Sequence, residues 1–129
     1  MTIIEVIKNK KQFLSLLLLA DEQENMIDRY LERGTMYVLN DNGVKAECVV
    51  TDECNGILEI KNIATVPEYQ GKGYAKALID FIVKEYADKY SVLQVGTGDS
   101  PLTVPFYEKC GFVPVSYTHL RAHETSQDL

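Results

Sequence analysis

The sequence predicts one α/β domain with a mixed sheet, in which antiparallel hairpins come before a parallel crossover. Its 129 residues fit a single domain with one core. Apolar residues alternate in the segments up to residue 66, which predicts strands, and from residue 72 they recur at helical spacing. We therefore expect the order strand, helix, helix, three strands, helix, strand, helix, strand.

The first segments predict one strand and two helices. The β-branched run TIIEV predicts a strand, KKQFLSLLLLA and ENMIDRYLERG predict helices, and Gly34 is the expected C-cap of the second helix. Three lysines ahead of FLSLLLLA imitate a secretory leader, but no clear small-x-small cleavage site follows Ala20. We expect neither a leader nor a membrane-spanning helix, which needs about 20 apolar residues.

The middle of the chain predicts three consecutive strands. Residues 40–43, Asn-Asp-Asn-Gly, join TMYVL to VKAECVVT and favour a tight hairpin, because Asn and Gly tolerate positive φ. A turn at Asp52–Gly56 leads into ILEIKNIATV, whose expected apolar face carries Leu58, Ile60, Ala64 and Val66.

Residues 72–89 form the clearest helical pattern in the chain. Charged side chains recur at every fourth position, at Lys72, Lys76, Asp80, Lys84 and Asp88. The opposite side carries Ala75, Leu78, Phe81, Ile82 and Tyr86. After this helix, VLQVG predicts a strand, PLTVPFYEKCG a short helix and FVPVSY a last strand.

Composition excludes several classes of function. A net charge of -6 argues against a nucleic-acid partner, which needs clustered Lys and Arg, and it favours a small cationic ligand. Three widely spaced cysteines favour a reducing, cytoplasmic location over a disulfide framework. The spacing of Cys48, Cys54, His119 and His123 matches no compact zinc pattern, so we expect no metal.

The stretch VPEYQGKGYAKAL, residues 66–78, places two glycines between a strand and the long helix. Such a turn exposes backbone N–H groups at a helix N-terminus, where phosphate binds, although a tight turn that binds nothing is the simpler alternative. A Walker loop is excluded because it requires Ser or Thr after the Gly-Lys pair, and here Gly73 follows Lys72. A dinucleotide fingerprint is excluded because it requires Gly or Ala at position 76, which is Lys76.

The hexapeptide Gln70–Ala75, QGKGYA, resembles the Gln/Arg-x-x-Gly-x-Gly/Ala signature of the GNAT superfamily of acyl-CoA-dependent N-acyltransferases. The preceding NIATVPEY and the downstream FYEKCGF stand in the family's order, and the resemblance covers residues 1 to about 115. It implies the GNAT fold, an α/β fold (α+β type) with a mixed central sheet. The elements then follow one another along the chain in the order β-α-α-β-β-β-α-β-α-β.

The resemblance implies acetyl-CoA as the acyl donor and names the residues that hold it. Backbone groups of the fourth strand pair with the pantetheine arm, at Ile63, Ala64, Thr65 and Val66. Amides of the glycine turn hold the pyrophosphate, at Gln70, Gly71, Lys72, Gly73, Tyr74 and Ala75. Ser100 stands where many relatives carry Asn and is expected to donate a hydrogen bond to CoA.

The resemblance also implies two catalytic residues. Tyr107 in FYEKCGF matches the family's general acid, which protonates the CoA sulfur, and a packed aromatic is its structural alternative. Glu59 stands where some relatives carry the general base. The alternatives are that Glu59 is a solvated strand residue and that water relays the proton. Gln94 replaces a glutamate of other relatives, and Cys110 is expected to be a small buried group, not an acyl carrier.

The function implied is transfer of an acetyl group from acetyl-CoA to a primary amine by direct attack in a ternary complex. The expected partner is a small-molecule amine, with a protein amine as the second choice and no membrane partner, in a monomer or homodimer. A catalytically silent acyl-CoA-binding or sensor domain is the alternative.

Residues 116–129, SYTHLRAHETSQDL, are polar and nearly without periodicity. We expect a family domain at 1–115 and a tail outside the family at 116–129, of the kind that translated adaptor sequence produces as an artefact. The final strand of the sheet should then be missing, which leaves an unpaired edge beside the fifth strand and a marginally stable chain.

Overall fold

The computed structural model describes residues 1–96, 102–116 and 119–122. The strands are β1 (Thr2–Val6), β2 (Thr35–Asn40), β3 (Val44–Asp52), β4 (Ile57–Thr65), β5 (Val92–Gly96), β6 (Phe112–Pro114) and β7 (His119–Ala122). The helices are α1 (Leu14–Ala20), α2 (Glu24–Ile27), α3 (Tyr74–Tyr86) and α4 (Val104–Lys109). Within the described ranges, none of these helices is long and apolar enough to cross a membrane.

The strands of the described residues form one seven-stranded sheet in the order β1-β2-β3-β4-β5-β7-β6. Neighbouring strands are antiparallel except β4 and β5, which are parallel and are joined by the crossover helix α3. The predicted mixed α/β sheet, with hairpins first and a crossover around the long helix, is therefore confirmed.

Alternation along the strands divides the core between the two faces of the sheet. In β2, Tyr37 and Leu39 pack on one face with the buried residues of α3, whereas Met36 and Val38 pack on the other with Leu17 of α1. Both faces of the sheet are thus covered by helices.

One irregularity in β4 matters for the site. The β3–β4 register shifts between Val49 and Val50, which pair with Asn62 and Ile60, so that Lys61 is an extra residue in β4. A bulge of this kind turns the strand and re-aims the side chains that follow it.

The bulge also overturns the predicted apolar face of β4. Leu58 and Ile60 pack on the α3 side as expected, but Ile63 joins them there. Ala64 packs instead on the opposite face, with residues of α1, and Val66 lies against the same cluster. Strict period-two reasoning was wrong beyond Lys61 because one extra residue reverses every later side chain.

The prediction that the final strand is missing was also wrong. Residues His119–Ala122 form β7, which pairs with β5 on one side and with β6 on the other. Its Leu120 is buried in the core. Four residues are too few to reveal a period, whereas the open edge of β5 offers backbone groups that need partners. The division of the chain at residue 115 stays a prediction, although the sheet uses residues beyond it.

Gly34 does not cap a helix, contrary to the prediction. Helix α2 ends at Ile27, and the chain continues through turns in which the Gly34 N–H donates to the carbonyl of Tyr30. A Cβ at position 34 would lie 2.8 Å from a methyl group of Val49. Glycine is needed there for close approach to β3.

Candidate active site

The glycine turn has the backbone conformation that the sequence predicts. After β4, a 3₁₀ turn at Pro67–Tyr69 leads to Gly71 and Gly73, whose φ angles are 81° and 88°. Helix α3 then begins at Tyr74 without a side-chain cap on its first amides. A Cβ at either glycine would meet no protein atom of the described chain within 4 Å. The turn is therefore strained for other residues and open toward a ligand.

A cavity of about 170 Å³ opens on this turn, and we name it the glycine-loop cavity. It is lined by Ala64, Thr65, Tyr69, Gln70, Gly71, Gly73, Tyr74, Ala75, Lys76, Leu102 and Phe106. Most of the predicted donor-binding residues are thus brought together. Val66 and Lys72 flank this lining, Ile63 lines a different cavity, and Ser100 lies outside the described residues.

Hydrogen bonds fix the turn against the rest of the fold. The Gln70 amide donates to the carbonyl of Thr65 at 3.3 Å, which ties the loop to the end of β4. The Tyr74 hydroxyl donates to an Asp41 carboxylate oxygen at 2.7 Å, and this bond raises the pKa of the tyrosine. Side chains of the signature therefore position the loop as well as line it.

Two cations lie near Tyr69, a lining residue of the glycine-loop cavity. The Lys45 ammonium lies 4.1 Å from the ring centroid of Tyr69, and the Lys72 ammonium lies 5.8 Å from the same centroid. Together with the helix N-terminus, these charges make the rim favourable for an anion.

Strands β4 and β5 separate beside this turn. Their parallel pairing runs from Ile57 and Val92 to Ile60 and Val95 and ends there, whereas β4 continues to Thr65. The bulge at Lys61 coincides with the separation. A cleft opens between the two strands, lined by Ile60–Ile63 of β4 and by Val95 and Gly96 of β5.

The cleft leads into a cavity of about 330 Å³, which we name the polar cavity. It is lined by Ala20, Asp21, Met26, Arg29, Tyr30, Arg33, Glu59, Ile60, Lys61, Asn62, Ile63, Val95, Gly96 and Tyr107. Both predicted catalytic residues are among them. The two cavities meet β4 at consecutive positions, Ile63 and Ala64.

Tyr107 is both a packed aromatic and a wall of the polar cavity. Its side chain is fully buried on α4, with the rings of Phe106 and Phe112 edge-on at 5.5 and 5.6 Å. These edge-on contacts hold the ring between its two aromatic neighbours. The structural and functional interpretations of this residue are therefore compatible.

Glu59 is held in a polar network and is not a solvated strand residue. It is 7% exposed, accepts a short hydrogen bond from the Gln94 amide, and lies 3.1 Å from the Lys61 ammonium. The Gln94 oxygen in turn accepts from the Arg121 guanidinium at 2.9 Å, and His119 lies 3.6 Å from Glu59. Gln94 thus orients the carboxylate, a role that depends on the β5–β7 pairing.

Sequence reasoning missed a second buried network in the polar cavity. The Tyr30 hydroxyl donates to Asp21 at 3.1 Å and accepts from the Asn62 amide at 3.0 Å. The same amide donates to the carbonyl of Leu17. Burial raises the pKa of Tyr30, which keeps the phenol protonated. The members come from α1, the turns after α2 and β4, so no sequence motif announces them.

Two further expectations concern Cys110 and a metal site. Cys110 is partly buried, and burial raises the pKa of its thiol, which is the opposite of what an acyl-carrying nucleophile requires. In the described part of the chain, no three His, Cys, Asp or Glu side chains group closely enough to hold a metal ion.

Comparison with known proteins identifies relatives. The family described as Acetyltransferase (GNAT) domain matches residues 32–114. The chain is 35% identical over 104 residues to the uncharacterized N-acetyltransferase YvbK of Bacillus subtilis, covering 78% of this chain and 67% of that protein.

Solved structures agree over nearly the whole chain. An IAA acetyltransferase from Bacillus cereus superposes with a TM-score of 0.82 at 30% identity, over 95% of this chain and 99% of that one. A GNAT family acetyltransferase from Elizabethkingia anophelis with acetyl-CoA bound gives 0.82 at 25% identity, over 95% and 97% of the two chains.

Proposed function

Because the chain belongs to the GNAT acetyltransferase family, we propose that it moves an acetyl group from acetyl-CoA to a small primary amine. The observation that carries the proposal is that consecutive residues of β4, Ile63 and Ala64, line two different cavities. One contains the glycine turn, and the other contains a phenol and a carboxylate. A thioester lying across this point meets an amine from the far side, within one ternary complex.

Acetyl-CoA occupies the glycine-loop cavity in this proposal. The first amides of α3 and the turn at Gly71 and Gly73 hold the pyrophosphate, and the rim ammonium groups add positive charge. The pantetheine arm lies along Ile63–Val66, where β4 has parted from β5 and can receive an added strand. The relative from Elizabethkingia anophelis, which binds acetyl-CoA, supports this choice of donor. The role of Ser100 stays a prediction.

The chemistry needs a neutral amine, an oxyanion donor and a proton for the leaving thiolate. The amine nitrogen attacks the thioester carbonyl carbon, and a backbone N–H of Ala64 or Thr65 stabilises the oxyanion. When the tetrahedral intermediate collapses, the carbon–sulfur bond breaks and Tyr107 gives its proton to the sulfur. Glu59 takes the proton that the amine loses, directly or through water.

The surroundings of these two residues support their roles. Tyr107 is fixed by aromatic packing and borders the cleft between β4 and β5, where the sulfur would lie. Glu59 is oriented by Gln94 and Lys61 within the same cavity. An oriented carboxylate and a fixed phenol on one cavity are the groups that proton transfer at both ends of the reaction requires.

The test is thiol release from acetyl-CoA in the presence of a panel of amines. Tyr107→Phe should lower kcat about 10²- to 10⁴-fold and leave acetyl-CoA affinity unchanged, because the ring packing is kept. Cys110→Ala, as the control, should retain turnover. If the parent chain binds acetyl-CoA but releases no thiol with any amine, a silent acyl-CoA-binding domain replaces the proposal.

A second variant tests the base. Glu59→Gln keeps the size of the side chain and, through its one oxygen, an acceptor for the Gln94 amide, but it removes the proton acceptor and the ion pair with Lys61. We expect kcat/KM to fall about 10²-fold at neutral pH with an active amine. An unchanged rate would assign the proton to a water relay and contradict the role of Glu59.

A further inference from the structure

The polar cavity differs in charge from the chain that surrounds it. The protein carries a net charge of -6, yet the cavity is lined by the cations of Arg29, Arg33 and Lys61 and by only two carboxylates, Asp21 and Glu59. Overall charge favours a cationic acceptor, as the sequence suggested. The local charge favours an acceptor that also carries negative charge.

The charges are also separated by depth. Of the lining residues, Asp21 and Glu59 are buried, at 8% and 7% exposed, whereas Arg29 and Arg33 are exposed to solvent. The deep end, which also contains Tyr107, thus suits an amine, and the rim suits an anion.

Arg29 is the cation that the fold leaves available. Lys61 pairs with Glu59 and lies 3.9 Å from Glu53, and Arg33 lies 3.5 Å from Glu53. Among the ion pairs of the described residues, none contains Arg29. A guanidinium group forms paired hydrogen bonds with a carboxylate or a phosphate, so this side chain is equipped to hold either.

We propose that the acceptor is a small primary amine bearing an acidic group, carboxylate or phosphate, whose anion binds Arg29 while its amine points toward Glu59 and Tyr107. The inference rests on the proposed function and adds the chemical class of the acceptor. The cavity volume of about 330 Å³ suits a molecule of this size and lies at the small end of ligand sites.

Two matched pairs of amines test the class. β-Alanine is compared with n-propylamine, and phosphoethanolamine with ethanolamine, first as acceptors in thiol release and then as ligands of the CoA-bound protein by calorimetry. We expect the acidic member of at least one pair to have a kcat/KM and an affinity at least tenfold higher. The pair that shows the preference tells carboxylate from phosphate.

Variants then assign the preference to one side chain. Arg29→Gln should raise KM for the acidic amine about tenfold to hundredfold, leaving kcat and the uncharged amine nearly unchanged. Arg29→Lys should restore part of the affinity. Lys84→Gln removes the same charge from the exposed surface of α3, away from the cavity, and should change nothing.

The outcomes separate the two proposals. Thiol release without a preference for acidic amines, or an equal effect of Arg29→Gln on both members of a pair, overturns the acceptor class and leaves the acetyltransferase in place. If the acidic amine binds preferentially but no thiol is released, the acceptor class stands and the acetyltransferase proposal is overturned. If no amine of either pair binds or reacts, the acceptor class is overturned.

Discussion

The two cavities that flank β4 are built in different ways. The glycine-loop cavity takes most of its lining from one continuous run, residues 64–76, and the binding that we propose for it uses backbone groups. The polar cavity takes its lining from α1, the region of α2, β4, β5 and α4, and its chemistry belongs to side chains. A backbone site depends on local φ angles, whereas a side-chain site depends on the whole tertiary structure.

The difference extends to stability. Among the described residues, the buried side-chain oxygens without a hydrogen-bond partner are both oxygens of Glu47 and the Oδ1 of Asn62. Asn62 lines the polar cavity. Glu47 lies opposite Ala64 in the β3–β4 ladder, and Ala64 packs on the face of the sheet that α1 covers. The face of the sheet that α1 covers therefore carries the unfavourable burial.

The largest expected effect is that of Glu47 on the pH dependence of the free energy of unfolding. Burial raises the pKa of this carboxyl well above its ordinary value of 4.5, so the folded chain keeps it protonated where the unfolded chain does not. Its contribution to stability is complete below about pH 4.5 and is lost as the pH rises toward the folded pKa. The loss approaches about 1.4 kcal/mol per pH unit.

Glu47→Gln tests this by removing the titration while keeping the shape. Urea unfolding of both chains between pH 5 and pH 8 should show the variant gaining in relative stability as the pH rises. All other carboxylates are common to both chains and cancel in the difference. Two unfolding profiles that stay parallel over this range would show that Glu47 finds a partner when folded.

A smaller effect, on donor affinity, is expected at Gly73. Gly73→Ala places a Cβ where φ is 88° and where the proposed pyrophosphate approaches the backbone. We expect the dissociation constant of CoA to rise at least tenfold, which corresponds to about 1.4 kcal/mol. Calorimetric titration with CoA measures it.

Gly111→Ala is the matched control for that variant. Its φ is 99°, and a Cβ there also meets no described atom within 4 Å. Both variants should therefore lose similar stability, about 1 kcal/mol, from the positive φ. Only Gly73→Ala should weaken CoA binding. Equal CoA affinities in the two variants would remove the glycine turn from the donor site.

The same contrast explains what the sequence could predict. The order of strands and helices followed from alternation and helical spacing, and the turn at Gly71 and Gly73 followed from residue type alone, because both are local properties. The family resemblance added Tyr107 and Glu59, and the structure places both on one cavity.

What the sequence could not predict depends on contacts between distant segments. The bulge at Lys61 is visible only in the β3–β4 register. The strand β7 is too short to show a period, and with it the Arg121–Gln94 contact was missed. Arg29 lies in turns that the sequence assigned to a helix, and its place on the polar cavity depends on packing against β4.

The smallest effect, and the sharpest check on the contrast, is expected at Lys72. Its side chain is exposed, does not line the glycine-loop cavity, and lies 5.8 Å from the Tyr69 ring. If backbone amides hold the pyrophosphate, Lys72→Ala should weaken CoA binding less than about threefold at physiological salt. The difference should be larger at low salt, because the lysine charge is then less screened. Titration with CoA at two salt concentrations measures both. A loss as large as that of Gly73→Ala would mean that a side-chain charge holds the phosphates, and the donor site would then be built like the acceptor site.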